Sequence, residues 1–297
     1  MFKSFATATA LAVGLIGASA QAQVTEINVG VLSTDTSAAL KKEWEPLIAD
    51  LGKALGVKTN SFYASDYAGV IEAMRFNKVQ VAWFGNASAI PAVDRAQGEV
   101  FGHGVDPHGT PGYYSLLIVN KDSPIHSLDD VLKSPGKYTF GNGDPNSTSG
   151  YLIPSYYVWA KNHVDINKHF KRIAAGNHQS NMMAVANKQV DVATNNTEDM
   201  EKFLRNQPDK AKEVREIWRS PLIPGDPLVY RADLPADLKA KIKTFFLTYG
   251  TKEAGPGWEA QHEHLLKISY GGVQPSDNRQ LLPIRQIMLF RDKIKIQ

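Results

Sequence analysis

No cysteine occurs in the 297 residues. Disulfide scaffolds, thiolate zinc sites, iron–sulfur clusters and cysteine nucleophiles are excluded together, and a chain without thiols suits an oxidising compartment. A surplus of one charge is missing as well. Lys plus Arg number 33 against 30 Asp plus Glu, a net +3 with no basic block, which argues against a nucleic-acid partner held through counterion release. Beyond the first two dozen residues no run approaches the ~18 apolar residues of a membrane span, so the mature chain is expected to be soluble. Signatures of catalysis are absent too: there is no GxSxG elbow, Rossmann GxGxxG or kinase motif. Gly150 is followed by Tyr151 where a P-loop needs Lys.

What is present begins with an address. Lys3 precedes an apolar run from Phe5 to Ile16 and then Ala18, Ser19 and Ala20, the pattern of a secretory signal cleaved after Ala20 or Ala22. Export to a bacterial periplasm follows. With 43% hydrophobic and 9% aromatic residues, the remainder can build one large or two medium domains.

From residue 24, short apolar strands alternate with amphipathic helices, the pattern of α/β domains with largely parallel sheets. Strand Ile27 to Leu32 and helix Ala38 to Leu55, apolar at Leu40, Trp44, Leu47, Ile48, Leu51 and Leu55, form the first unit. Further units run to Gln97, and a second block runs from Tyr138 to near Ile217. Residues 113–119 (YYSLLIV) and 220–230 (SPLIPGDPLVY) read as two extended connections between the blocks, the three prolines of the latter opposing a helix. Either a bilobal α/β protein with a cleft between its lobes or a single doubly wound sheet satisfies this pattern. The bilobal reading divides the chain into 1–22 as signal, 23–115 with 225–297 as lobe 1, and 116–224 as lobe 2.

The informative segment is Gly141 to Gly150, GNGDPNSTSG, between a short strand and an apolar helix. Ser147, Thr148 and Ser149 put three hydroxyls where unpaired backbone N–H groups and the helix dipole attract an anion, and small neighbours let an oxyanion approach. An ordinary N-cap needs only one of them. His178, after a strand and Gly176, could aim into the same cleft or merely cap a helix. Glu198 opens a helix and Asp226 sits between Gly225 and Pro227, positions that serve a ligand cation or else helix-start charge and turn chemistry. Tyr67 and Tyr113 are compatible with core-edge packing. His103, Asp106 and His108 lie in what reads as a loop, without the regular spacing of a metal site, and His262 and His264 read as surface residues.

Several strings together resemble the phosphonate-binding proteins of bacterial ABC transporters, the PhnD type. They are DYAG (66–69), MRFNKV (74–79), PGYYS (111–115), LIVNKDSPI (117–125), GNGDPNSTSG (141–150), AVANKQVDVATNNTE (184–198), SPLIPGDP (220–227) and LLPIRQ (281–286). The resemblance spans nearly all of the mature chain. It implies a type II periplasmic-binding fold of two α/β lobes joined by two crossover strands, no enzymatic activity, no cofactor and no metal. It further implies that Ser147, Thr148 and Ser149 hold the phosphonate with help from Tyr67, Tyr113 and His178, while Glu198 and Asp226 take the amino group of 2-aminoethylphosphonate. The partner implied is an ABC permease, with the protein acting as a monomer or weak dimer. Two departures stand out: this chain has Ala-Gly-Asn-His where the family reads AGH, one residue longer before His178, and AWFG at 82–85 where it reads AWYG. A receptor for phosphate, phosphite or an organophosphate ester would use the hydroxyl cradle but not both acids. A hydrolase with Ser147 or Ser149 as nucleophile, His178 as base and Asp226 as its orienter is the remaining alternative.

Overall fold

The computed structural model describes residues 24–294, with side chains to 290. The signal segment expected at 1–22 lies outside the described residues. The helix Ser37–Leu55 shows how local sequence sets the frame. Thr36 Oγ1 accepts from Ala39 N at 3.2 Å to start it, and Gly56, at φ +66°, ends it in the left-handed region. Leu40, Trp44, Leu47, Ile48 and Leu51, three or four apart, are buried against the sheet, each contributing roughly 1.5–3 kcal/mol by leaving water. Trp44 stacks on Trp83 at 5.2 Å, which fixes the indole at a strand end.

Two sheets form two lobes. The first runs Gly272–Pro275, Gly98–Val105, Pro227–Arg231, Val81–Trp83, Glu26–Val31, Lys58–Tyr63, and the second Val214–Arg219, Ser115–Asn120, Val192–Asn196, Thr139–Asn142, Arg172–Ala175. Between them the short strands Gly112–Tyr113 and Ile223–Pro224 pair antiparallel, so both passages between lobes run side by side. The bilobal arrangement is therefore the one adopted.

The sheets are mixed, which corrects the expectation of largely parallel ones. Glu26–Val31 is parallel to both neighbours, as is Thr139–Asn142, because these strands are linked by crossover helices. Pro227–Arg231 and Ser115–Asn120 run antiparallel to both of theirs, since each follows a passage between lobes and enters its sheet in the opposite sense. The strand Gly98–Val105 also corrects the loop expected around His103. Its glycines have packing reasons: a Cβ on Gly104 would stand 2.2 Å from the Tyr270 ring. His262 and His264 lie on a helix, Trp258–Lys267, rather than free at the surface, and Tyr249 Oη meets His264 Nδ1 at 2.8 Å.

The carboxyl ends of Glu26–Val31, Val81–Trp83, Thr139–Asn142, Arg172–Ala175 and Val192–Asn196 each feed a turn or helix start facing the other lobe. That is the place where open α/β sheets gather ligands.

Candidate functional site

Where the lobes meet, a small, tightly closed cavity is lined by all eight residues singled out in the sequence: Tyr67, Tyr113, Ser147, Thr148, Ser149, His178, Glu198 and Asp226. Leu32, Thr34, Trp83, Gly85, Asn196 and Asp199 complete its wall. Two roomier hollows, one around Gly52 and Thr59 and one between Asp50 and Gln261, are lined by the first lobe alone.

At one end stands the hydroxyl run. Ser147 caps a helical segment whose first and last stretches, Thr148–Leu152 and Ser155–Ala160, are π-helical, so Leu152 N reaches back to Ser147 O at 3.0 Å. The wide turn leaves the N–H groups of Thr148 and Ser149 without an acceptor inside the helix. Each hydroxyl oxygen in the run already accepts a hydrogen bond. Ser147 Oγ takes Gly150 N at 3.0 Å, Thr148 Oγ1 takes Ala87 N of the first lobe at 2.8 Å, and Ser149 Oγ takes Asn196 Nδ2 at 3.3 Å. With their oxygens engaged as acceptors, the Thr148 and Ser149 O–H hydrogens are available as donors, while the Ser147 hydroxyl faces that of Tyr67, a preorganisation that suits an oxyanion.

The glycines do something other than admit the ligand. Gly143 and Gly150 face each other, Gly143 N donating to Gly150 O at 3.1 Å, and a Cβ on Gly143 would come within 2.6 Å of that carbonyl. Gly85, by contrast, makes room between lobes, its Cβ position lying 3.0 Å from Thr148 Oγ1 and 3.8 Å from Asp226 Oδ1.

His178 is the first residue of the helix His178–Ala186. The additional residue before it, Asn177, serves as the cap, its Oδ1 accepting from Ser180 N at 2.8 Å. The insertion is thus absorbed without turning His178 out of the cavity. Burial holds the imidazole below its usual pKa and favours its neutral form, and Nδ1 is sealed with no partner among the described residues. Burial, reinforced by nearby carboxylates, lifts the Tyr67 and Tyr113 hydroxyls well above their ordinary range and keeps them protonated. Tyr113 Oη donates to Asp226 Oδ1 at 2.8 Å. Phe84, the residue that departs from AWYG, is fully buried in the apolar core, whereas its neighbour Trp83 reaches the cavity.

Three acids, Glu198, Asp199 and Asp226, line the rest of the wall, Asp199 joined to the hydroxyl run through Asn196, and among the described residues no Lys or Arg lines it. Burial pushes Asp226 up to about 7 and Glu198 well above the carboxylate range, each acid adding to its neighbour's cost. Asp199 is tied to Asn196, accepting from Nδ2 at 2.8 Å while its own N–H donates to Asn196 Oδ1 at 2.8 Å. Glu198 differs: the residue keeps some exposure, yet its Oε1 is sealed and has no hydrogen-bond partner among the described residues. Trp83 Nε1 and Tyr270 Oη are sealed as well, the indole N–H lying toward the phenol oxygen. Sequence reasoning missed Tyr270, Thr34 and Asp199 as neighbours of the site; Asp199 alone carried a signal, standing next to Glu198 at a helix start.

A cavity with poised donors at one end and uncompensated acids at the other suits a small zwitterion. Residues 29–281 match the family described as ABC transporter, phosphonate, periplasmic substrate-binding protein. The chain belongs to that family. It is 50% identical over 289 residues to the phosphonates-binding periplasmic protein of Escherichia coli K12, covering 97% of this chain and 83% of that one. A binding protein component of an ABC phosphonate transporter from Pseudomonas aeruginosa superposes with a TM-score of 0.86 at 51% identity, over 91% of this chain and 88% of that one. The phosphate-import protein PhnD of Mycolicibacterium smegmatis is 30% identical, over 74% and 70% of the two chains. The fold is the type II periplasmic-binding fold, and family members are transport receptors rather than enzymes.

Proposed function

We propose that this protein captures 2-aminoethylphosphonate in the periplasm, after removal of residues 1–22, and presents it to an ABC permease with its lobes closed. The lobes are 23–115 with 225–297 and 116–224, hinged at the paired passages. Ser147, Thr148 and Ser149, with Tyr67 and His178, receive the phosphonate. Glu198 and Asp226, the latter oriented by Tyr113, receive the ammonium.

The observation that carries this reading is the sealed Glu198 Oε1 beside Asp226, with no hydrogen-bond partner and no lining cation among the described residues. Closing over a ligand that lacks an amine leaves both acids desolvated and unmatched, whereas an ammonium satisfies them through charge-assisted hydrogen bonds. Calorimetric titration of the ligand-stripped mature protein with 2-aminoethylphosphonate, ethylphosphonate and phosphate tests it. Binding of the amine compound at least tenfold tighter than the other two is expected. Equal binding of phosphate or ethylphosphonate would remove the assigned role from Glu198 and Asp226 and favour a general phosphorus-oxyanion receptor.

A further inference from the structure

The helix Thr197–Asn206 does more than deliver Glu198. Glu198, Lys202 and Arg205 fall at i, i+4 and i+7, on one face, and that face meets the first lobe. Lys202 Nζ lies 2.7 Å from Glu43 Oε2 and 3.6 Å from Asp35 Oδ2, both on the first lobe. The side chains are only 9%, 12% and 10% exposed, unlike the His108–Glu201 contact between the same lobes, which is 72% and 41% exposed. Arg205 Nη2 donates to Ser269 Oγ at 2.9 Å, and Gln179 N to Thr34 O at 3.2 Å, along the same seam.

We propose that Lys202 is the positioning residue that holds the lobes shut over the ligand, clamping the Glu198 helix to Glu43 and Asp35 of the first lobe. The inference rests on the reading of the cavity as a phosphonate site. Its logic is electrostatic. Opening separates Lys202 from both acids and rehydrates all three, so the cluster exists only in the closed form. An exposed pair of this kind would contribute little, but a dry one is strongly coupled: removing one partner leaves the others buried and uncompensated. Because Lys202 and Glu198 share one rigid helical face a turn apart, a ligand drawn to Glu198 draws Lys202 into its acids. Lys202 does not line the cavity, so its effect on every ligand should be alike.

The test is stopped-flow release of 2-aminoethylphosphonate and of ethylphosphonate from the full mature protein. Lys202→Met should speed release of both ligands by about tenfold or more, with little change in association and with their affinity ratio preserved. Lys202→Met combined with Glu43→Gln, which removes the largest uncompensated charge, should recover part of that loss, a rescue that a folding defect would not give. Release within twofold of the original protein would overturn the proposal. So would a tenfold loss for the amine compound alone, which would place Lys202 in ligand recognition instead. If the original protein binds neither phosphonate, the functional reading fails; if it binds and Lys202→Met releases no faster, the clamp alone fails.

Discussion

At one end of the cavity three hydroxyls each already accept from an N–H group; at the other, Glu198 Oε1 accepts from nothing among the described residues. The hydroxyl end is complete as protein and merely offers spare hydrogens. The acid end is incomplete, and a cation would complete it. On the proposed reading, preorganised donors set a general affinity for oxyanions, while the buried acids decide which oxyanion is kept.

The largest effect that separates the two ends is expected from Glu198→Gln. Losing one charge-assisted hydrogen bond, worth ~1.5–3 kcal/mol, should weaken 2-aminoethylphosphonate by roughly 10- to 150-fold, while ethylphosphonate, relieved of an unmatched buried acid, should bind no more weakly than before. Calorimetry with both ligands measures the difference, and parallel losses would erase the distinction between the ends.

Thr148→Val probes the opposite end. It keeps the shape, deletes one donor and strips Ala87 N of its acceptor across the lobes, so both ligands should weaken alike, by about tenfold. A loss confined to one ligand would mean that the hydroxyl run senses more than the anion.

The smallest effect is in stability. Asp226 is raised from an ordinary 3.8 to about 7, first through burial. A carboxylate raised in the folded state keeps a proton that the unfolded chain has released, so its contribution is full below about pH 4 and is lost as pH climbs through about 7. The melting temperature of the ligand-free protein should fall by a few degrees between about pH 5 and pH 8. Asp226→Asn should flatten that fall, and 2-aminoethylphosphonate should reverse it. An unchanged slope in Asp226→Asn would show that other groups set it.

The α/β plan was legible because crossover helices such as Ser37–Leu55 bury residues at helical spacing, but that pattern left two lobes and a single doubly wound sheet equally open, and only the family resemblance favoured two lobes. Sheet direction was not, since nothing in PLVYR tells which way a strand enters. Gly98–Val105 hid behind glycines whose reason, the ring of Tyr270 lying over Gly104, comes from a segment 166 residues away. All eight candidate residues proved to share one cavity, as GNGDPNSTSG and NNTE hinted by standing at helix starts. Lys202 was invisible, because on a polar helix a lysine looks like one more solvated charge until the other lobe covers it.

The helical segment that begins at Thr148 has one more consequence. Leu152 and Ile153, one turn beyond the hydroxyls, are buried in the same apolar cluster as Tyr67, Phe84 and Ile90 of the first lobe. Opening the cleft wets that cluster and closing dries it. If capture closes the cleft as proposed, it should carry a negative heat-capacity change far larger than so small a solute could supply from its own surface, and the heat of capture should grow more exothermic as the protein is warmed.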